Sequence, residues 1–523
     1  MKINSYLKYV LLGFLFSPVF YYALINRSSL GAECPPSCNV ILISVDSLRA
    51  DRMGLYGYKK NSTPNIDKWA KKAVIFDKYY NQAFLTPISE TVAHTSLHPI
   101  ESGVTRFNSV LPEKFKMMAE YLKAGGLKTV ALGSSPEFFH FSVGMRENFQ
   151  RGFDEYYTEY STEELQTWGR TFRDETEAPF SWIEDKANTK DPFFMWLTIG
   201  TVHWPYAEGD FPGKKEYSGF LKGSSLSWSN HLRKIYNDKV WSITSLGEIE
   251  RDLEKSDKEY LENAYVANIV KTDLYIGNFF DLLKKEGLHK NTIIIFHSEH
   301  GEELGEHGYY AHYDIYNTTI HSPLIIKIPG QKPKRVESSV GSIDILPTVL
   351  DYLDFSPAQQ AKGLSLRPLI KGGSSGGFED RTIYSTRIPL WEHLAPNYSK
   401  IDSAKEKELD KKLLDPYVEF KKIDKNQLVY DVGAIKNNWK LVWRVSRDVQ
   451  MKYGWWRKIS GAEDEIEEYE LYNLLIDPQE QNNVYLQNTE IAESLRIDLE
   501  EWLSRQLESV KEVKYKGDIL PYY

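Results

Sequence analysis

The sequence predicts an α/β fold, a doubly wound and mostly parallel sheet flanked by helices, followed by a smaller C-terminal α+β domain. Three observations predict it. Short runs of β-branched and aromatic residues recur from Asn39 onward, each bounded by turn residues. Helix-period segments separate them, and that alternation covers both faces of a parallel sheet. Two of the apolar runs end abruptly in acidic residues, at the strand ends where open α/β sheets bind ligands.

The elements follow in order. Tyr9 to Ile25 is uncharged and mostly apolar, with Lys2 and Lys8 before it and Arg27 after it. Residues 1–38 therefore read as either a cleaved signal peptide or a short membrane anchor plus a linker, and both place the folded part outside the cytoplasm. The only cysteines are Cys34 and Cys38, spaced to close a small loop in an oxidising compartment; none lies in the catalytic region. A domain spanning 39–371 opens with the strand Asn39–Val45. Pro112 to Ala124 predicts a helix stopped by Gly125-Gly126, and Lys128–Gly133 and Phe193–Gly200 predict strands. Residues from about Glu208 to Lys255 are polar, lack a period, and read as an insertion over the active-site edge. Asp257 to Glu286 predicts a long helix with Leu261, Tyr265 and Ile269 on one stripe, Asp273 as a buried structural acid, and Gly287 as its cap. Thr292–Phe296 is a buried strand. Lys371–Gly377 is the linker, and 378–523 holds strands at Trp439–Trp443 and Tyr469–Leu474 and a closing helix over Thr489–Val510.

At 523 residues the chain has room for more than one domain, and 41% hydrophobic with 26% charged residues makes it globular. A net charge of −9 argues against a nucleic-acid partner, because phosphate backbones need a basic face.

Function is read from the two acidic strand ends. Asp46 follows the first strand, and Glu299-His300-Gly301 follows Thr292–Phe296 and His297-Ser298. Carboxylates and a neutral imidazole at one sheet edge are the makings of a divalent-metal site; a solvated charged loop is the plain alternative for either segment alone. With Leu48-Arg49-Ala50-Asp51-Arg52-Met53-Gly54-Leu55-Tyr56-Gly57-Tyr58 behind Asp46, the pair resembles the sulfatase branch of the alkaline phosphatase superfamily. The resemblance continues through Trp204-Pro205-Tyr206, Ser322-Pro323-Leu324-Ile325-Ile326, Asp344-Ile345-Leu346-Pro347-Thr348 and Glu470-Leu471-Tyr472-Asn473-Leu474, so it covers roughly residues 39 to 500.

The resemblance implies an alkaline-phosphatase-like fold and assigns the site. Thr86 falls at the nucleophile position, with Glu90 where the family carries arginine; from local sequence alone, Thr86 is a common helix cap. Threonine cannot become the formylglycine of sulfatases, so no formylglycine is expected. A threonyl sulfate lacks the exit that a hydrated aldehyde gives, whereas a phosphothreonyl adduct is resolved by in-line attack. Asp46, Thr86, Glu299 and His300 are the implied ligands of one divalent ion, with Zn²⁺ or Mn²⁺ favoured and Ca²⁺ or Mg²⁺ open. Glu299 stands where relatives have aspartate, and Ser47 replaces a second acid. His203 and His312 match residues that contact the ester, and join Thr86 as the catalytic set. His307 is placed at the turn beyond the metal pair; His94, His98, His297 and His321 are read as structural. The expected function is metal-dependent hydrolysis or transfer of a phosphate ester through a threonyl intermediate. Its substrate would be a small-molecule, glycan or lipid-linked ester, with membrane contact through the N-terminal segment. A sulfuric ester hydrolase with an unusual nucleophile and a non-catalytic glycan- or partner-binding member are the alternatives.

Overall fold

The computed structural model describes residues 38–106, 108–133, 143–158, 177–187, 189, 191–203, 206, 214–215, 255–307, 310–312, 314–373, 377–387, 420–424, 431–444, 469–509 and 512–516. The Tyr9–Ile25 run, nearly all of the Glu208–Lys255 insertion, and Ser374–Gly376 of the linker lie outside them.

Strands β1 (Asn39–Val45), β2 (Val74–Tyr80), β3 (Lys128–Gly133), β4 (Glu155–Thr158), β5 (Phe193–Ile199) and β6 (Thr292–His297) come first. A short pair, β7 (Glu303–Leu304) and β8 (Tyr310–Ala311), stands apart; β9 (Leu324–Lys327) and β10 (Lys334–Gly341) complete the main sheet. Its order is β10-β2-β9-β6-β1-β5-β3-β4, and within it only β9 runs against its neighbours.

The near-continuous apolar text of the central strands follows from burial on both faces. In β1, Val40 and Leu42 pack on one side with Met118, Leu122, Leu346 and Leu350. Ile41, Ile43 and Val45 pack on the other, with Tyr265, Ile269 and Phe279 of the Lys255–Lys285 helix. Each such side chain contributes about 1.5–3 kcal/mol on burial. Ser44 pairs with both Thr198 and His297, so β1, β5 and β6 end level with one another. That register sets Asp46, the turn after Ile199, and Glu299-His300 along one edge.

Two boundaries differ from expectation. The helix expected over Pro112–Ala124 begins at Met118, because the Glu120 carboxylate accepts the Met117 amide at 2.8 Å and caps the helix there. Its stop is as expected: Gly126 sits at φ 91°, a left-handed conformation that glycine adopts without strain. The long helix runs Lys255–Lys285 and ends before Gly287 at φ 73°. Its Asp273 accepts the Asn65 and Ile66 amides at 3.0 and 2.8 Å, satisfying the first turn of the Pro64–Ala70 helix from outside.

The C-terminal part is an antiparallel sheet of β11 (Ile383–Arg387), β13 (Asp431–Lys436), β14 (Trp439–Arg444) and β15 (Tyr469–Asn473), in that order; β12 (Phe420–Asp424) pairs separately with β16 (Glu512–Lys516). The Thr489–Ser509 helix covers the sheet through Leu495, Leu499 and Trp502. Strand β11 also reaches the main sheet: Ser385 Oγ donates to Asn81 O at 2.8 Å and the Thr386 amide to Gln82 O at 2.9 Å. Asn81 and Gln82 lead from β2 towards Thr86, so the smaller sheet braces the site from behind.

The membrane contact expected of the N-terminal segment is corrected. Among the described residues no helix is long and apolar enough to cross a membrane. Cys38 is disulfide-bonded, and Cys34 is the only other cysteine in the chain.

Candidate metal centre

Asp46 is held where β1 gives out. Its amide donates to Ile199 O at 2.9 Å, and Ser47, at φ 60°, turns the chain sharply away. Ser47 Oγ donates to Asp46 Oδ1 at 3.2 Å, so the residue that replaces a second acid serves the first. Glu299 and His300 leave β6 on a segment tied to its neighbours: Asn81 Nδ2 donates to Ser298 O at 3.1 Å, and Ser89 Oγ to Glu299 O at 2.6 Å.

Asp46, Glu299 and His300 are all fully buried, and each offers a ligand atom within 4.8 Å of the others. Both Glu299 carboxylate oxygens are buried without a hydrogen-bond partner. Burial first, then the charge of Asp46, holds the Glu299 carboxyl well above its usual range. Two buried carboxylates beside an imidazole form a donor set that fits a divalent cation. The extra methylene of Glu299 does not take it out of this group.

Thr86 opens the Thr86–Thr95 helix, but not as its cap: Leu85 is the N-cap, and no side chain bonds to the helix start. The hydroxyl instead meets His300 Nε2 at 2.8 Å. His300 Nδ1 lies 3.0 Å from Gly301 O, and a carbonyl only accepts, so Nδ1 carries the proton. Nε2 then faces the Thr86 hydroxyl and lies 3.6 Å from Asp46 Oδ1. The His312 ring stacks on His300 with centroids 4.2 Å apart, and His203 stands edge-on to His312 at 4.9 Å. All six residues singled out in the sequence therefore lie in one buried cluster. His307 is elsewhere: it contacts Glu303 and bonds through Nε2 to Gln479 O at 2.8 Å, fastening the turn to the C-terminal part.

Glu90 has neighbours that the sequence did not reveal. It is fully buried behind Thr86, with His94 Nε2 and His297 Nε2 each 3.5 Å from its carboxylate. Those distances are not ion pairs. Burial, with His297 nearby for His94, pushes both imidazoles down to about 3. Burial pushes the Glu90 carboxyl up to about 8; a bond from Ser44 opposes the shift and the charge of Asp46 adds to it. A neutral acid between neutral imidazoles is the consistent state. Counted over these three groups, the folded protein binds more protons than the unfolded chain only between pH ~6.5 and ~8, because below ~6.5 the two imidazoles take up protons in the unfolded chain alone. Stability of ion-free protein should fall as pH rises through that window, and Glu90→Gln should flatten the slope. Urea unfolding at several pH values checks this; identical slopes for wild type and Glu90→Gln would mean that Glu90 ionises normally.

A mostly parallel α/β sheet with this acid–acid–imidazole cluster at its carboxyl edge, and a hydroxyl at a helix start facing it, defines the alkaline-phosphatase-like class. Within that class, the sequence model of the sulfatase family matches residues 38–355, and the chain belongs to that family. Ulvan-active sulfatase of Formosa agariphila is 28% identical over 371 residues, 64% of this chain and 66% of that protein. Iduronate 2-sulfatase of Mus musculus is 24% identical over 354 residues, 59% of this chain and 62% of that protein. The match thus spans a little under two thirds of these relatives. Phosphonate monoester hydrolase of Agrobacterium radiobacter superposes with a TM-score of 0.64 at 19% identity, covering 90% of this chain and 96% of that one. At that identity the likeness is one of fold.

Proposed function

We propose that this chain is a metal-dependent hydrolase or transferase of phosphate esters that works through a threonyl intermediate. One observation carries the reading: the nucleophile position holds Thr86, whose hydroxyl faces His300 Nε2 at 2.8 Å rather than capping its helix. The fold serves proteins named for sulfate and for phosphonate esters alike, so residue 86 decides between chemistries. Threonine gives no formylglycine, and without its second hydroxyl a sulfated side chain has no ready exit.

Asp46, Glu299 and His300, with the Thr86 oxygen, would hold one ion, Zn²⁺ or Mn²⁺ before Ca²⁺ or Mg²⁺ given the imidazole among the donors. When bound, the ion supplies charge that lowers the pKa of the Thr86 hydroxyl and offsets charge growing on the ester. Thr86, its hydroxyl proton released to solvent beforehand and its oxygen kept as the alkoxide between turnovers, attacks phosphorus through Oγ as the P–O bond to the leaving group breaks opposite it. His312 gives the departing oxygen a proton. Water or an acceptor alcohol then attacks the phosphothreonine, loses its proton to His312, and frees Thr86. His203, edge-on to His312, assists by binding the transferred group's oxygens. The substrate is a small-molecule or glycan ester, and the disulfide at Cys38 favours a secreted, extracytoplasmic setting.

The test compares aryl phosphate mono- and diesters with aryl sulfate on metal-loaded protein. Phosphate esters should be turned over faster. Preferential sulfate hydrolysis would instead make the protein a sulfuric ester hydrolase with threonine at its centre, and no turnover of either ester would favour a binding protein.

A further inference from the structure

Next to the site, Glu302 is fixed at every polar group it possesses. It is fully buried on the segment that carries His300. Its amide donates to Thr318 O at 3.0 Å, and its carbonyl accepts Arg49 Nη1 at 2.9 Å. Arg49 is itself held, with Nε on Asp51 Oδ1 at 2.9 Å and Nη1 also on Glu306 Oε1 at 2.5 Å. Gly301 lets the backbone come this close, since a Cβ there would lie 2.1 Å from Thr318 O and 2.9 Å from Arg49 Cγ. The carboxylate is divided between two partners: Oε1 accepts the Tyr206 hydroxyl at 3.0 Å, and Oε2 lies 2.9 Å from His312 Nδ1.

We propose that Glu302 is the positioning residue for His312, forming a carboxylate–imidazole dyad that commits Nδ1 to the protein and Nε2 to the reacting ester. A carboxylate that accepts the Nδ1 proton fixes the tautomer and the ring orientation together. The ring lies at 27° to His300, whose own Nε2 meets Thr86, so the dyad holds the His312 imidazole beside the nucleophile. Tyr206 keeps Glu302 from rotating about its last bond, and Arg49 and Thr318 keep its backbone from shifting. The Arg49 and Glu302 segments, more than 250 residues apart in the chain, thus act on one imidazole. A site supported this completely tolerates little drift of its reacting groups.

The inference rests on the phosphate-ester reading, and its test is separable from that reading. Wild-type turnover and its dependence on Thr86 test the reaction. The dyad is tested by a series of aryl phosphate esters whose leaving phenols span a range of acidity. Glu302→Ala should lower kcat about 10–100-fold for poorly acidic phenols, with little loss for p-nitrophenol and little change in KM. His312→Ala should show the same pattern, about 10²–10⁴-fold at the poor leaving groups. The double variant should be no worse than His312→Ala alone, because both act through one proton transfer. An equal loss for every ester, or losses that multiply in the double variant, overturns the proposal. Should Glu302→Ala fail to fold, Tyr206→Phe decides. It leaves the carboxylate in place and frees one oxygen, so it must steepen the leaving-group dependence; an unchanged dependence overturns the dyad.

Discussion

Thr86→Ala should lose essentially all turnover, about 10⁴–10⁶-fold, while unfolding at nearly the wild-type temperature. The two halves of this expectation have separate causes. The hydroxyl is the attacking atom and one of the proposed ligands, so its removal takes away the step itself. Structurally, Thr86 contributes one hydrogen bond to His300 and no helix cap, so its loss costs only about 1 kcal/mol. Thr86→Ser should keep a measurable rate, because the nucleophile survives. Acid-quenched wild type, digested after mixing with a slowly resolved phosphate monoester, should carry a phosphate on the peptide containing Thr86. Undiminished activity in Thr86→Ala would reduce Thr86 to a buried hydroxyl and move the chemistry elsewhere.

The central strands were legible because they are buried on both faces. Asn39–Val45 and Thr292–His297 leave no polar alternation to confuse the reading, and each ends in the residues that make the site. Asp46, Glu299 and His300 could be found because strand ends are where side chains gather in this architecture. Thr86 was legible only through the family's register, since locally it reads as a cap. Glu302 was missed for a different reason: an acid in a glutamate-rich turn looks solvated, and nothing local says that Tyr206 and His312 will close over it. The same holds for the buried joint between the sheets. Arg444 bonds Glu470 Oε1 at 3.0 Å and Asp314 Oδ1 at 2.6 Å, and breaking such a cluster costs about 3–5 kcal/mol. Each partner there reads as a surface charge until distant segments meet. The helix expected from Pro112 failed on a capping bond that a shorter pattern explains equally well.

Removing the metal should abolish activity and weaken the fold, and restoring it should reverse both. Two buried carboxylates and an imidazole lie within 4.8 Å of one another, and both Glu299 oxygens lack a hydrogen-bond partner. A cation resolves that arrangement; a proton is the substitute in its absence. Since burial and the charge of Asp46 hold the Glu299 carboxyl above its usual range, the ion-free site binds a proton more tightly than a free carboxyl does, and an ion competes with that proton. Apparent affinity should therefore tighten as pH rises, and calorimetry in buffers of different ionisation enthalpy should show proton release with about one ion per chain. An ion present at 100 times its Kd should stabilise the fold by about 2.7 kcal/mol, seen as a rise in Tm. Asp46→Asn and Glu299→Gln should each weaken binding about 10²-fold or more and lose that gain. Their ion-free forms should be no less stable than ion-free wild type, because each substitution relieves the repulsion between two buried carboxylates. If chelation leaves both turnover and Tm untouched, Asp46, Glu299 and His300 are a buried polar cluster and not a metal centre.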